Sequence, residues 1–535
     1  MNLNQRRIPR GSAAFAACLL WQAAPVGIVR ADYLDDVGYR SLLLDLGAAM
    51  PTGAGVGVSQ IEFGNPEYLP EAGTGTFPGT GIFAGKTFTE KSGATAVSGH
   101  AAAVGLHFFS LNTDPGLGRA TMTPGISAID VYRVDSTVSP TSWTDDIFLK
   151  PGTAREPLIE SRAVQNHSWI SEAENSESVT DNDLLRRLDF AVRRDGFLPV
   201  TGVNNGSSAV PSLMASAYNN LAVGLSSGGH STGGVVAWLD GAGRQKPELV
   251  TPLDYTSFST GLVSSGAALL RQAGSALGAS AVRPETIKAI LLAGATKGEF
   301  PGWTRSETMP LDPVFGAGEM NISHSWHIMN GGGQTADAVT VRPAKAWGYA
   351  TLATGGTADY LLSVAPGTVG TELSAVASWN RVITDSSPGT GFTMAVSTLA
   401  NYQLSLARVP VSGAAVVVDQ SLSPIENLEH VYQKNLPSGT WRLRLSLAAG
   451  TSAPAALAWR LESAPHRPGI AISRSGTVDS LTFSGLLAGQ AYVIQSSETL
   501  ASWTNETTFT ANPATFVWTT TASMARRFYR LAATN

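Results

Sequence analysis

Cysteine is nearly missing from this chain. The single example is Cys18, and it lies in the N-terminal segment. A disulfide framework and thiol chemistry in the body of the protein are therefore excluded. Charge is also scarce: Asp, Glu, Lys and Arg make up 14% of the residues, with a formal net charge of -5. No Lys/Arg run or basic stripe occurs after the N-terminus, which argues against nucleic acid as a partner. Beyond the first 31 residues no stretch is long and apolar enough for a membrane span. No nucleotide-binding glycine loop, zinc motif or haem signature is present.

What is there begins with the N-terminus. Arg6, Arg7 and Arg10 precede an apolar stretch from Gly11 to Ala24, and Val29-Arg30-Ala31 precedes Asp32. Positive, apolar and then small residues is the layout of a secretory signal peptide. It predicts a leader over 1–31 and a secreted or cell-surface protein. Phe15-Ala16-Ala17-Cys18 loosely resembles a lipoprotein cleavage site, but the apolar run before it is short. The remainder is too long for one core, at about 150 residues per domain.

Residues 32–50 carry a helical pattern of Leu34, Val37, Leu42, Leu43 and Leu46. From Val56 to about 333, short apolar strands alternate with helical periods. Strand candidates are Val56–Ile61, Ile126–Tyr132, Ala163–Ile170, Gly196–Val200 and Asn219–Gly224; Asn182–Arg194 is an amphipathic helix. This alternation predicts an α/β domain over 32–333: a parallel sheet flanked by helices, its site at the strands' C-terminal ends. From 345 onward helical periods vanish, and short alternating strands predict two all-β units, a β-sandwich over 345–463 and a smaller domain over 467–535.

Four segments carry chemistry. Thr256-Ser257-Phe258-Ser259-Thr260 runs into the apolar-faced helix Gly261–Leu270, so Ser257 sits at a helix N-terminus. Free N–H groups there favour an alkoxide or oxyanion, although an ordinary capping serine fits the same segment. Ser98-Gly99-His100 opens a helix of small residues, Ala101-Ala102-Ala103-Val104-Gly105, which allows close approach of a neighbour. An imidazole there has the right titration range for a general base. His167, in Gln165–Trp169, is a rival base. Glu62 ends the first strand, where an acid that orients an imidazole belongs, although a solvated strand-end carboxylate fits the same position. Leu198–Gly206 is a strand leading to Asn204-Asn205-Gly206, which is either a plain turn or a loop that aims Asn204 at an oxyanion.

Together these segments resemble the subtilisin-like serine peptidases. Ile61-Glu62-Phe63-Gly64 resembles that family's acid motif, Ser98-Gly99-His100 its histidine motif, Val203-Asn204-Asn205-Gly206 its oxyanion motif and Thr256-Ser257-Phe258-Ser259-Thr260 its nucleophile motif. Lys246-Pro247-Glu248-Leu249, Pro284–Leu291 and Phe315-Gly316-Ala317-Gly318 add to the likeness, which covers about 55–332. The resemblance implies a Glu62–His100–Ser257 triad with Asn204 in the oxyanion hole, a protein or peptide substrate, and a substrate-lining strand at Asn166, His167 and Ser168. No cofactor is required. Calcium, which such proteins often hold through carboxylates and carbonyls, is allowed, with no ligand run assigned. Residues 345–463 resemble the β-sandwich that often follows such peptidases, and 467–535 a C-terminal module of secreted bacterial proteins that could attach the chain to a cell surface.

The sequence also departs from that family. Glu62 stands where Asp is usual, Tyr255 where Gly is usual and Gly261 where Pro is usual. The stretch between leader and first strand is too short for the usual propeptide. These departures keep open a catalytically inactive scaffold used for binding or adhesion.

Overall fold

The computed structural model describes residues 32–64, 67–71, 81–93, 96–134, 142–171, 179–206, 212–512, 514–521 and 527–534. The leader predicted over 1–31 lies outside the described residues. Among the described residues no helix is long and apolar enough to cross a membrane.

The chain enters through α1 (Tyr33–Asp36) and α2 (Tyr39–Leu46). The helical pattern read over 32–50 is thus two helices. They break at Gly38, whose φ of 73° is left-handed and whose Cβ position would lie 2.6 Å from Asn321; a side chain is strained there and has no room.

Seven parallel strands form the central sheet: β1 (Val58–Glu62), β2 (Thr87–Glu90), β3 (Ala128–Arg133), β4 (Val164–His167), β5 (Leu198–Gly202), β6 (Leu221–Leu225) and β9 (Leu249–Thr251), in the order β2-β3-β1-β4-β5-β6-β9. A two-residue ribbon, β7 (Gly233–Gly234) with β8 (Gln245–Lys246), stands apart. The parallel sheet with flanking helices expected from the sequence is present. β1, β4, β5 and β6 are buried along their whole length, so β5 and β6 read as mostly apolar runs rather than alternations, while β1 and β4 carry the buried polar side chains Ser59, Gln60, Glu62, Gln165, Asn166 and His167.

One face packs against α3 (Gly99–Phe108), α5 (Thr256–Gly274), α6 (Pro284–Gly294) and α7 (Ile322–Asn330). The other packs against α4 (Val179–Asp195), whose Leu184, Leu185 and Leu188 join Ile61, Tyr132, Trp143 and Phe148. Beneath the β6–β9 pair, Glu248 Oε1 accepts from Lys246 and Lys288, each at 2.8 Å, and all three side chains are buried. Burial alone would raise the Glu248 pKa; the two ammonium groups outweigh it and bring it down to about 2.

Residues 333–465 form a sandwich. A five-stranded sheet (333–334, 345–351, 454–465, 368–379, 428–436) faces a four-stranded one (357–364, 439–449, 401–409, 416–421). The sandwich is fused to the first unit. Trp347, Val376, Leu428, Ala456 and Ala458 belong to the same apolar cluster as Ile287 and Ile290 of α6. Glu285 of α6 accepts from Tyr349 Oη at 2.6 Å and Asn380 Nδ2 at 2.9 Å, and Asn427 Nδ2 donates to the Tyr218 carbonyl at 2.8 Å. Truncating the fully buried Leu428 to Ala is therefore expected to cost about 2–5 kcal/mol. It should lower one shared unfolding transition rather than split it, as calorimetry would read.

Residues 469–534 make a second, smaller pair of three-stranded sheets around Leu481, Phe483, Tyr492 and Ile494. Ser438 Oγ, donating to Gln490 Oε1 at 2.9 Å, links it to the sandwich.

Candidate active site

Three elements deliver three side chains to the C-terminal end of the sheet. Glu62 is the last residue of β1 and is buried, while His100 is the second residue of α3. Glu62 Oε2 lies 2.8 Å from His100 Nδ1. The other carboxylate oxygen accepts from Gln60 Nε2 at 2.7 Å, and the same amide donates to the Ala101 carbonyl at 2.9 Å. Gln60 therefore ties the strand end to the first turn of α3 and holds the acid where the imidazole meets it. Its side chain is fully buried, and nothing in its sequence context marks it.

The pairing fixes the proton. A carboxylate at Nδ1 makes that nitrogen the donor and leaves Nε2 as the basic atom. The His100 side chain is 40% exposed. Its burial and the positive charge of Arg119 pull the imidazole pKa down, but the charge and hydrogen bond of Glu62 push harder, and the net displacement is upward.

Ser257 is the second residue of α5. Asn205 caps this helix from outside: its Oδ1 accepts from Thr256 N at 2.9 Å and Thr256 Oγ1 at 3.1 Å. The Phe258 and Ser259 N–H groups both donate to the Tyr255 carbonyl. Among the described residues the Ser257 N–H has no hydrogen-bond acceptor, and it lies at the positive end of a 19-residue helix. Next to Asn205, the Asn204 backbone is pinned by Ser231, with Asn204 N donating to Ser231 Oγ at 3.1 Å and Asn204 O accepting from Ser231 N at 2.9 Å. The Asn204 side-chain amide makes no hydrogen bond to the described protein.

α3 and α5 approach closely enough to share a cleft because of Gly261. A Cβ there would lie 3.0 Å from the Val104 carbonyl oxygen and 3.3 Å from His107 Cβ. Glycine at this position thus lets the helices carrying His100 and Ser257 pack together, with the small residues Ala101–Ala103 on the facing element.

Ser257 Oγ itself donates to the Ser168 carbonyl at 3.2 Å and makes no hydrogen bond to His100. Ser168 follows β4 directly. Its Oγ lies 3.0 Å from the Ser257 carbonyl and 2.9 Å from Asn166 Oδ1, and Asn166 Nδ2 donates to Ser264 Oγ at 3.1 Å.

These contacts correct two of the substrate-lining residues expected from sequence. β4 is paired on both edges, with β1 and β5, so it has no free backbone at Asn166 or His167. The Asn166 side chain is buried against α5. His167 points to the opposite face, where Trp169 Nε1 donates to its Nδ1 at 3.2 Å and Trp143 lies edge-on at 4.8 Å. Burial brings the His167 pKa down to about 3. That environment removes it as a rival base, because it cannot reach Ser257 or hold a proton near neutral pH. Ser168 is the residue of this segment that contacts Ser257 directly.

Among the described residues no group of three or more His, Cys, Asp or Glu side chains converges to hold a metal ion.

No protein-family model matches the sequence. No curated protein matches it either. Solved structures similar to this chain include the protease domain of PatA, in a point-mutant form (16% identity, TM-score 0.33, covering 53% of this chain and 98% of that one). Others are the MycP3 protease from the type VII (ESX-3) secretion system (16% identity, TM-score 0.33, 54% and 88% covered) and a lanthipeptide protease (13% identity, TM-score 0.32, 56% and 96% covered).

Proposed function

We propose that this chain is a serine endopeptidase of the subtilisin-like kind, secreted by the leader read over 1–31. The reading rests above all on the Glu62–His100 hydrogen bond of 2.8 Å, set beside a helix-start serine whose own N–H has no acceptor among the described residues. Rotation of the Ser257 side chain away from the Ser168 carbonyl brings its Oγ toward His100; hydrogen bonds of this kind often tighten only with substrate bound. Ser257 Oγ then bonds to the scissile carbonyl carbon as its proton passes to His100 Nε2. The carbonyl oxygen takes up the electron pair and sits between the Ser257 N–H and the Asn204 amide. Collapse of this adduct breaks the C–N bond, and His100 gives its proton to the departing amine. Water, deprotonated by His100, cleaves the acyl ester and restores Ser257. Ser168 and the residues after it would hold the acyl half as an added strand, and the C-terminal module would attach the protein to a cell surface.

The inactive binding scaffold keeps one observation in its favour, the bond from Ser257 Oγ to Ser168 instead of His100. Incubation of the purified protein with a denatured protein substrate between pH 5 and 9 separates the two. Peptides should appear, and His100→Ala should stop them; a well-folded wild type that releases none overturns the peptidase reading. The pH profile carries a further expectation. Catalysis needs neutral His100, whose pKa is raised, so activity should fall as pH drops through a value above the ordinary ~6.5. Replacing Glu62 by Gln removes the cause and should move that limb to lower pH.

A further inference from the structure

We infer that Arg119 selects substrates carrying a carboxylate immediately after the scissile bond; this rests on the peptidase reading above. The geometry of the cleft separates its two halves. Ser257 lies between the end of β4, where Ser168 touches it, and α3, which carries His100. His100 must reach the leaving nitrogen, so the half of the substrate that departs lies on the α3 side, away from Ser168.

That side has a distinct lining. Phe258, next in sequence to the nucleophile, is buried, with the His107 ring 5.2 Å from it. Tyr255 stands edge-on to Phe258 at 5.3 Å and is 48% exposed. The guanidinium of Arg119 lies over the Phe258 ring, 4.6 Å from its centroid. Arg119 comes from the connection between α3 and β3, and Tyr33 holds that connection in place. Tyr33 Oη accepts from Ala120 N at 2.7 Å and donates to Ala120 O at 2.9 Å. The guanidinium is partly buried and close enough for its charge to act on both His100 and Tyr255. A cation held on the Phe258 ring, next in sequence to Ser257 and within electrostatic range of His100, attracts an acidic group on the leaving half and repels a basic one.

A carboxylate there has two sources, an Asp or Glu side chain or the chain terminus of a one-residue leaving group, and the side chain is the one expected. The test uses fluorogenic peptides with amidated C-termini, identical except for Asp, Asn or Lys directly after the scissile bond, with fluorophosphonate titration counting competent sites in each preparation. Wild type should cleave the Asp peptide with kcat/KM about fivefold above the Lys peptide, the scale of one partly screened ion pair. Arg119→Gln should bring this ratio near one and Arg119→Glu should invert it. Arg119→Lys, which keeps charge, should retain it and so separates charge recognition from a packing role on Phe258. A preference that appears only with a free terminal carboxylate overturns the side-chain assignment. A ratio that survives Arg119→Gln overturns the role of Arg119 while cleavage itself upholds the peptidase reading. A folded wild type that neither takes up the probe nor cleaves any peptide removes both.

Discussion

Ser257→Ala should abolish covalent labelling by a fluorophosphonate and lower peptide hydrolysis by about 10⁴-fold or more. Such a probe reacts with a serine that can shed its proton to a base and whose developing negative charge is met by donors. On the proposed peptidase reading the Ser257 N–H at the start of α5 and the Asn204 amide, neither with a hydrogen-bond acceptor among the described residues, would be those donors, and His100 would be the base. Folding should survive the change. The hydroxyl makes one hydrogen bond, to the Ser168 carbonyl at 3.2 Å, and its loss costs about 0.5–1.5 kcal/mol. The buried core under α5, from Leu262 to Leu270, does not include it. Loss of labelling in a variant that melts close to wild type therefore reports chemistry. His100→Ala should match it, because serine and base act as one unit, and combining the two should add little. If well-folded wild type takes up no probe, the serine is not activated and the binding-scaffold reading takes its place.

The three side chains of the proposed triad and Asn204 can be singled out in the sequence because each sits at an element boundary that the pattern itself exposes. Glu62 ends an apolar strand, His100 opens a run of small residues, and Ser257 opens an apolar-faced helix. What is illegible there depends on contacts across the fold. Gln60 is one more polar residue in a strand until β1 and α3 are brought together. The β4 segment shows the same: the resemblance implied substrate contacts at Asn166 and His167, and only the pairing of β4 with both β1 and β5 shows that their backbone is taken and their side chains are buried. Asn205 caps a helix that begins 51 residues later. The edge strand Val416–Ser421, with Val416, Val417 and Val418 all exposed, has no period to find. Fusion of the sandwich to the α6 side of the first unit likewise rests on pairs far apart in the chain, such as Tyr349 with Glu285.

Glu62 decides how far the departure from the usual aspartate matters, and two substitutions should part charge from length. Glu62→Gln is expected to lower kcat by about 10³- to 10⁴-fold with little change in KM. In the present arrangement Oε2 accepts from His100 Nδ1–H and Oε1 accepts from Gln60 Nε2. A glutamine has one oxygen for two donors. If its oxygen faces Gln60, its NH₂ faces His100, and the imidazole must place its proton on Nε2, where it can no longer take one from Ser257. If its oxygen faces His100, two NH₂ groups meet at Gln60 in a buried site and the strand end is pushed away from α3. Glu62→Asp keeps the charge but withdraws it by about 1.5 Å, one methylene. Gln60 fixes the spacing of β1 and α3 through the Ala101 carbonyl, so the helix cannot simply follow. The 2.8 Å bond to His100 should lengthen beyond hydrogen-bonding range, for a loss of about 100-fold in kcat. Steady-state kinetics on the two purified variants read this directly. An Asp variant as fast as wild type would mean that the backbone is not matched to glutamate. A Gln variant within about tenfold of wild type would remove Glu62 from the catalytic machinery altogether.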